Sequence, residues 1–332
     1  MDRKQPASGE DSLIARYFKP LATDPGAFDL DDDAAVVKTP GDDIVVTTDA
    51  IVEGVHFLSD DPADTVARKA LRVNLSDLAA KGAIPAGFVL TLALRSADDA
   101  WLTAFALGLG EDAKQFGCPL LGGDTVSTPG PLMISIAAFG RLPPGKMVHR
   151  SGAKPGDRVV VTGTIGDAAL GLDLLKGGAA ATALADDAAA RAMLVERYRV
   201  PQPRNALAQA VRDHASAAMD VSDGLAGDLA KLCAASGVSA VIDAPSIPLS
   251  APVAILLARG AVGIDKIVSG GDDYEILCAV PEDRFEAFAR AAAIAGVAVT
   301  SIGTVIAGEA APRFLDGEGN EIALPRLSYS HF

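Results

Sequence analysis

Short apolar runs with two-residue alternation recur along this chain, and stretches of helical periodicity separate them. Residues 43–49 (DIVVTTD), 87–95 (GFVLTLALR) and 132–140 have the pattern of strands, and 64–82 and 98–117 that of helices. Alternation of this kind restricts the chain to an α/β or layered α+β architecture. The rhythm breaks at Pro143-Pro144-Gly145 and again at 151–157, two clusters of turn formers. It resumes with a strand at 158–162, Ala-rich helices to about residue 215, a strand at 217–219 and a helix at 224–236. Strands at 240–242 and 274–280 follow. With 332 residues and about 150 per domain, two domains are expected, one over 1–148 and one over 149–332.

Forty-three acidic residues against 29 Lys and Arg give a net charge of −14. No basic surplus exists to neutralise phosphate backbones or anionic lipid, so neither nucleic acid nor a membrane is expected as a partner. No apolar run approaches the roughly 18 residues of a membrane span, and no secretory signal is visible at the N-terminus. Cys118, Cys233 and Cys278 lie far apart in apolar surroundings and match no zinc spacing. Buried free thiols in a reducing cytoplasm are the expectation.

The placement of the acidic residues says more than their number. They recur where strands read as ending and turns as beginning: Asp31-Asp32-Asp33, Asp49, Asp77, Asp124, Asp220, Asp223 and Asp272-Asp273. Carboxylates that converge repel one another unless cations intervene, and oxygen donors without a Cys or His cluster favour magnesium over zinc. A turn or helix cap accounts for Asp49 alone. Asp220-Val221-Ser222-Asp223-Gly224 carries two carboxylates and a hydroxyl where a cap needs one, which points to metal or phosphate. Gly122-Gly123-Asp124-Thr125 and Gly270-Gly271-Asp272-Asp273 are glycine pairs that end in carboxylate. Ser76-Asp77 and Ser222-Asp223 each read as a helix start followed later by a Gly-Asp turn, a weak echo between the halves. His56, just past the Asp49 strand, stands where a substrate phosphate could be met, although a lone histidine also serves structurally. Arg150, between the halves, is either a phosphate contact or a solvated surface residue.

No phosphate-binding G-x-x-x-x-G-K-[ST] loop, no G-x-G-x-x-G after a strand and no G-x-S-x-G elbow occurs. These absences disfavour a P-loop enzyme, a Rossmann dinucleotide site and an α/β-hydrolase.

Taken together, Asp32-Asp33-Ala34-Ala35, Thr47-Thr48-Asp49, Glu53-Gly54-Val55-His56-Phe57 and Val73–Ala80 (VNLSDLAA) resemble the thiamine-monophosphate kinase family. Gly122–Thr125, Arg150–Ala153, Met219–Leu225 and Ser269–Glu275 carry the same resemblance, as do Gly9–Ile14 and the closing His331-Phe332. The family is one of the aminoimidazole-ribonucleotide synthetase-like ATP-binding proteins. The resemblance implies a two-domain fold whose N-terminal sheet pairs across a homodimer. It also implies transfer of phosphate from ATP to thiamine monophosphate, giving thiamine diphosphate, with several magnesium ions. Carried onto this chain, the metal ligands would be Asp33, Thr47, Thr48, Asp49, Asp77, Asp124, Asp220 and Asp223. ATP contacts would be Gly123, Asp124, Arg150 and Ser222, and substrate contacts His56, Asp272 and Tyr329. The chain departs from the family pattern at Asp31 (usually glycine), at Asp272 (usually glutamate) and in lacking glycine before Tyr329. The acceptor is an ionised phosphate oxygen, so no general base is required and direct in-line transfer is expected. Another ATP-dependent enzyme of the same superfamily, or a non-catalytic cation-binding protein, is the alternative.

Overall fold

The structure is a computed structural model that describes residues 25–328. The motif at 9–14, Tyr329 and the closing His331-Phe332 lie outside the described residues. The N-terminal half forms a five-stranded sheet from β1 (Ala35–Val37), β2 (Asp43–Val52), β3 (Ile84–Leu94), β4 (Leu120–Ser127) and β5 (Met133–Leu142), in the order β1-β2-β5-β3-β4. β3 and β4 run parallel and the other neighbours antiparallel. Helices α1 (Ala63–Ala80) and α2 (Asp99–Gln115) cover one face. The strands exist because Val45, Ile134 and Ile136 alternate inward with polar or smaller residues outward.

The C-terminal half is a six-stranded sheet of β6 (Arg158–Thr162), β7 (Ala217–Asp220), β8 (Val238–Asp243), β9 (Ile276–Val280), β10 (Val299–Ala307) and β11 (Arg313–Leu315). Its order is β11-β8-β10-β6-β9-β7, and β8 and β11 pair in parallel. The helices of this half are α3 (Asp167–Leu175), α4 (Ala179–Ala183), α5 (Ala188–Arg199), α6 (Ala208–His214) and α7 (Leu225–Ser236), followed by α8 (Ala251–Ala258), α9 (Ile264–Val268) and α10 (Glu282–Ile294). Leu170 of α3, Leu229 of α7, Leu256 of α8 and Ile267 of α9 pack on one face, and Val211 of α6 with Phe288 of α10 on the other. Burial on both faces explains why β9 reads as the unbroken apolar run ILCAV.

Helix α1 joins the two halves. Fifteen of its 18 residues are buried, too many for a helix that offers one face to one sheet. Leu71, Leu75 and Leu78 belong to the N-terminal core, whereas Ala79 and Ala80 pack with Val160, Ala218 and Ile276 of the other sheet.

Several carboxylates sit elsewhere in their elements than strand ends. Asp49 lies within β2 and Asp124 within β4, and Ser76-Asp77 falls near the end of α1 rather than opening a helix. Only Asp220 closes its strand; Asp223 and Asp272 follow and precede strands in loops. Both sheets are mainly antiparallel, so no row of parallel strand ends collects the acids. The groove along α1, between the halves, collects most of them instead. Cys118, Cys233 and Cys278 are buried and free, and burial pushes their thiols up to about 11 or 12. Among the described residues no helix is long and apolar enough to cross a membrane.

Candidate active site

Between the halves lies a cavity of about 820 Å³. From the N-terminal half it takes Asp33, Thr47, Thr48, Asp49, His56 and Asp77; from the C-terminal half come Asp220, Ser222, Asp223 and Asp272, with Arg150 from the connection. Eleven of the expected site residues therefore meet in one place. Gly123 and Asp124 do not.

The floor is set by α1. Lys69, Val73, Asp77 and Lys81 follow one another at four-residue intervals, so they share one side of the helix and span about 18 Å at 1.5 Å per residue. Thr47 Oγ1 donates to Asp77 Oδ2 at 2.6 Å, tying β2 to α1. Asn74 Oδ1 accepts from the Asp49 backbone N–H at 3.1 Å. Thr48 Oγ1 donates to the Ile136 carbonyl at 3.0 Å, which fixes its hydroxyl at the cavity wall.

Asp49, Asp77 and Asp220 crowd one another. Burial, then the charges of Asp223 and Asp33, push the Asp49 carboxyl up to about 6, even though its side chain is open to the water of the cavity. Asp77 and Asp220 are raised well above the ordinary carboxyl range, first by burial and then by neighbouring carboxylates. Asp33 behaves differently. Burial raises its carboxyl, but Lys81 Nζ at 2.6 Å and the Arg150 guanidinium outweigh it and hold the group low. Lys81 also reaches Asp32 Oδ1 at 2.8 Å and the Ala218 carbonyl at 2.8 Å.

Among the described residues, no three His, Cys, Asp or Glu side chains stand arranged as a ready cage for a metal ion. Magnesium needs none, since it usually takes one or two carboxylates and fills its shell with water and substrate phosphates. Three mutually repelling carboxylates in one cavity, with hydroxyls beside them, fit that cation by donor chemistry and charge.

The C-terminal wall consists of two loops pressed backbone to backbone. Asp272 N donates to the Ser222 carbonyl and Tyr274 N to the Val221 carbonyl, both at 2.8 Å. The contact demands glycine. A side chain at Gly224, whose φ is +116°, would meet the Ser269 backbone at 2.8 Å, and one at Gly271 would meet the Ser222 carbonyl at 2.5 Å. The glycines place Ser222 and Asp223 ahead of the α7 N-terminus, a setting that favours anions. Lys231, nearly two turns into α7, bonds Asp223 Oδ2 at 2.6 Å and Asp228 Oδ1 at 3.1 Å.

At the other end, His56 Nδ1 accepts the Val52 backbone N–H at 3.0 Å, so the neutral ring carries its proton on Nε2. Lys69 Nζ bonds Asp272 Oδ2 and the His56 carbonyl, each at 2.8 Å. Sequence reasoning missed Lys69, Asn74, Lys81 and Lys231. The four-residue spacing around Asp77 was a signal that could have found the first and third.

Asp124 is set apart by sheet register. Asp49 pairs with Ile136, Ile136 with Leu90, and Leu90 with Gly123, so Gly123 lies three strands from Asp49. At about 4.8 Å per strand that is roughly 14 Å. Asp124 shares its row with Thr91 and Ser135 on the sheet face away from α1, and all of β4 is exposed.

Comparison with known proteins finds relatives that span both halves of the chain. Residues 31–142 match the family described as AIR synthase related protein, N-terminal domain, and 154–313 its C-terminal domain. The thiamine-monophosphate kinase of Caulobacter vibrioides is 46% identical over 324 residues, covering 96% of this chain and 89% of that protein. A solved structure described as AaThiL complexed with AMPPCP and TMP superposes with a TM-score of 0.84 at 29% identity, covering 98% of this chain and 97% of that one. The thiamine-monophosphate kinase structure from Stenotrophomonas maltophilia K279a gives 0.77 at 36% identity, with 94% and 96% covered. With likeness extending through both halves, the chain belongs to the thiamine-monophosphate kinase family.

Proposed function

We propose that this protein transfers the γ-phosphoryl group of ATP to thiamine monophosphate, yielding thiamine diphosphate and ADP. The observation that carries the reading is a single cavity in which carboxylates from both halves converge between two phosphate-suited ends. Arg150 and Ser222, which line the cavity near the α7 N-terminus, would meet the nucleotide phosphates. His56 and Asp272 would meet the acceptor, the His56 ring toward phosphate and the Asp272 carboxylate toward the cationic ring. The solved relative described with AMPPCP and TMP supports both ends.

Asp49, Asp77 and Asp220 would hold magnesium, with Asp33, Thr47, Thr48 and Asp223 close by. When bound, the ions would supply neutralisation of charge between two anionic substrates. The chain's own part is alignment. The α1 floor and the two glycine-rich loops hold donor and acceptor sites in a fixed relation, which is what phosphoryl transfer chiefly requires. The acceptor oxygen is already ionised, and no side chain is needed as its base.

Supporting a homodimer, β4 is an edge strand that bears Leu120, Leu121 and Val126 exposed, and among the described residues no helix covers the sheet face of Asp124. A second copy laid on that face would bring its Asp124 and Gly123 to this cavity. The domain division at 148/149 falls between the end of β5 and the start of β6, and three free buried thiols suit a reducing cytoplasm.

The test offers the protein ATP and magnesium with thiamine monophosphate, free thiamine or neither. ADP formed only with thiamine monophosphate is expected. ADP formed with free thiamine but not with its monophosphate would overturn the reading.

A further inference from the structure

We propose that Lys69 is the positioning residue of the acceptor end, holding Asp272 of the C-terminal half against the His56 turn of the N-terminal half. It rests on the reading above that Asp272 meets thiamine monophosphate. Lys69 itself lies behind the cavity wall, with 2% of its side chain exposed. Its ammonium is met on three sides: by Asp272 Oδ2 at 2.8 Å, by the His56 carbonyl at 2.8 Å and by the Tyr198 ring, whose centroid is 3.9 Å away. These partners come from the 269–275 loop, the turn after β2 and α5, so one cation joins three segments to α1.

A buried ion pair adds little stability over an apolar contact of the same shape, because desolvation offsets attraction. What it does supply is position. Asp272 has a φ of +72°, a conformation that costs a non-glycine residue about 1–3 kcal/mol and persists only where its surroundings enforce it. Two constraints enforce it here: its N–H on the Ser222 carbonyl and its Oδ2 on Lys69. No described residue bonds Oδ1, and 23% of the side chain is exposed, so the carboxylate keeps one oxygen for a ligand. The Tyr198 hydroxyl donates to the same His56 carbonyl at 3.3 Å. Lys69 and Tyr198 thus fix the turn that carries the His56 ring.

The experiment is a double-mutant cycle in the full-length chain with Lys69→Met, Asp272→Ala and the pair, measuring KM for each substrate, kcat and thermal unfolding. Lys69→Met is expected to raise KM for thiamine monophosphate about tenfold, the scale of one charged hydrogen bond, with KM for ATP within about twofold. The pair should be no worse than Asp272→Ala alone, since both changes remove one arrangement. Lys69→Arg should recover most of the loss. Equal rises in both KM values, or additive losses in the pair, would overturn the proposal. If Asp272→Ala raises KM for thiamine monophosphate and Lys69→Met does not, the positioning role fails alone. If Asp272→Ala leaves that KM unchanged, the reading of Asp272 as an acceptor contact fails first. Should Lys69→Met not fold, Lys69→Gln, which keeps a donor toward the His56 carbonyl, takes its place with the same outcomes.

Discussion

The Lys81 ammonium lies 2.6 Å from Asp33 Oδ2 with none of its side chain exposed. It closes the nucleotide end of the α1 floor, as Lys69 closes the acceptor end. Removing it leaves Asp32 and Asp33 with fewer counter-charges in a buried setting. Lys81→Met should therefore cost about 3 kcal/mol of stability, read by chemical unfolding at pH 7. The pH dependence has a definite sign. Asp33 is held below its ordinary value, so its contribution is present above the unfolded carboxyl range and is lost as pH falls through the lower folded value. Without Lys81 that loss should begin at higher pH, so the acid-unfolding midpoint of Lys81→Met should move up. An unchanged midpoint and unchanged stability would show that the pair has no structural weight.

The cavity carboxylates bonded by no described cation, Asp49 and Asp220, predict the opposite response to substitution. Asp49 is raised to about 6, so the folded chain binds its proton more tightly than the unfolded chain, and the group's effect on stability worsens as pH rises through that value. Asp49→Asn should leave the metal-free protein as stable as the parent or slightly more so at pH 7, by less than about 1 kcal/mol because the side chain faces cavity water. The same change, and Asp220→Asn, should lower turnover more than about 100-fold and abolish the rise in unfolding temperature that magnesium and ATP give the parent. Near-normal turnover in both variants would remove them from the metal site.

Much of this was legible in the sequence because period-two alternation and helical spacing mark elements that bury one face. DIVVTTD and GFVLTLALR are strands, and the break after residue 142 separates two sheets. The convergence of Asp33, Asp49, Asp77, Asp220 and Asp223 followed from the family resemblance rather than from turn settings, since Asp49 lies within β2 and Asp77 within α1. Their exact support was not legible. Ser76-Asp77 looks like a helix start because Ser and Asp are good caps, yet burial between two domains keeps the helix running past them. Lys69 and Lys81 look like surface lysines because their four-residue spacing around Asp77 marks a shared helix side but not the second domain that covers it. Asp124 looks equivalent to the other acids, and only sheet register sets it roughly 14 Å from Asp49.

That separation yields a prediction about assembly. If Asp124 acts on the cavity of a second copy, Asp49→Asn and Asp124→Asn chains, each inactive alone, should regain activity when unfolded together and refolded. A mixed dimer then holds one cavity with both aspartates intact. If Asp124 served its own chain, every cavity in the mixture would carry one substitution and activity would stay lost.

The most direct measurement is phosphorus-31 NMR of the protein with ATP, magnesium and thiamine monophosphate. The monophosphate resonance should give way to the coupled pair of thiamine diphosphate, one for each ATP converted to ADP, and only with magnesium present. Accumulation of orthophosphate without thiamine diphosphate, or equal conversion after magnesium is removed, would contradict phosphoryl transfer in this cavity.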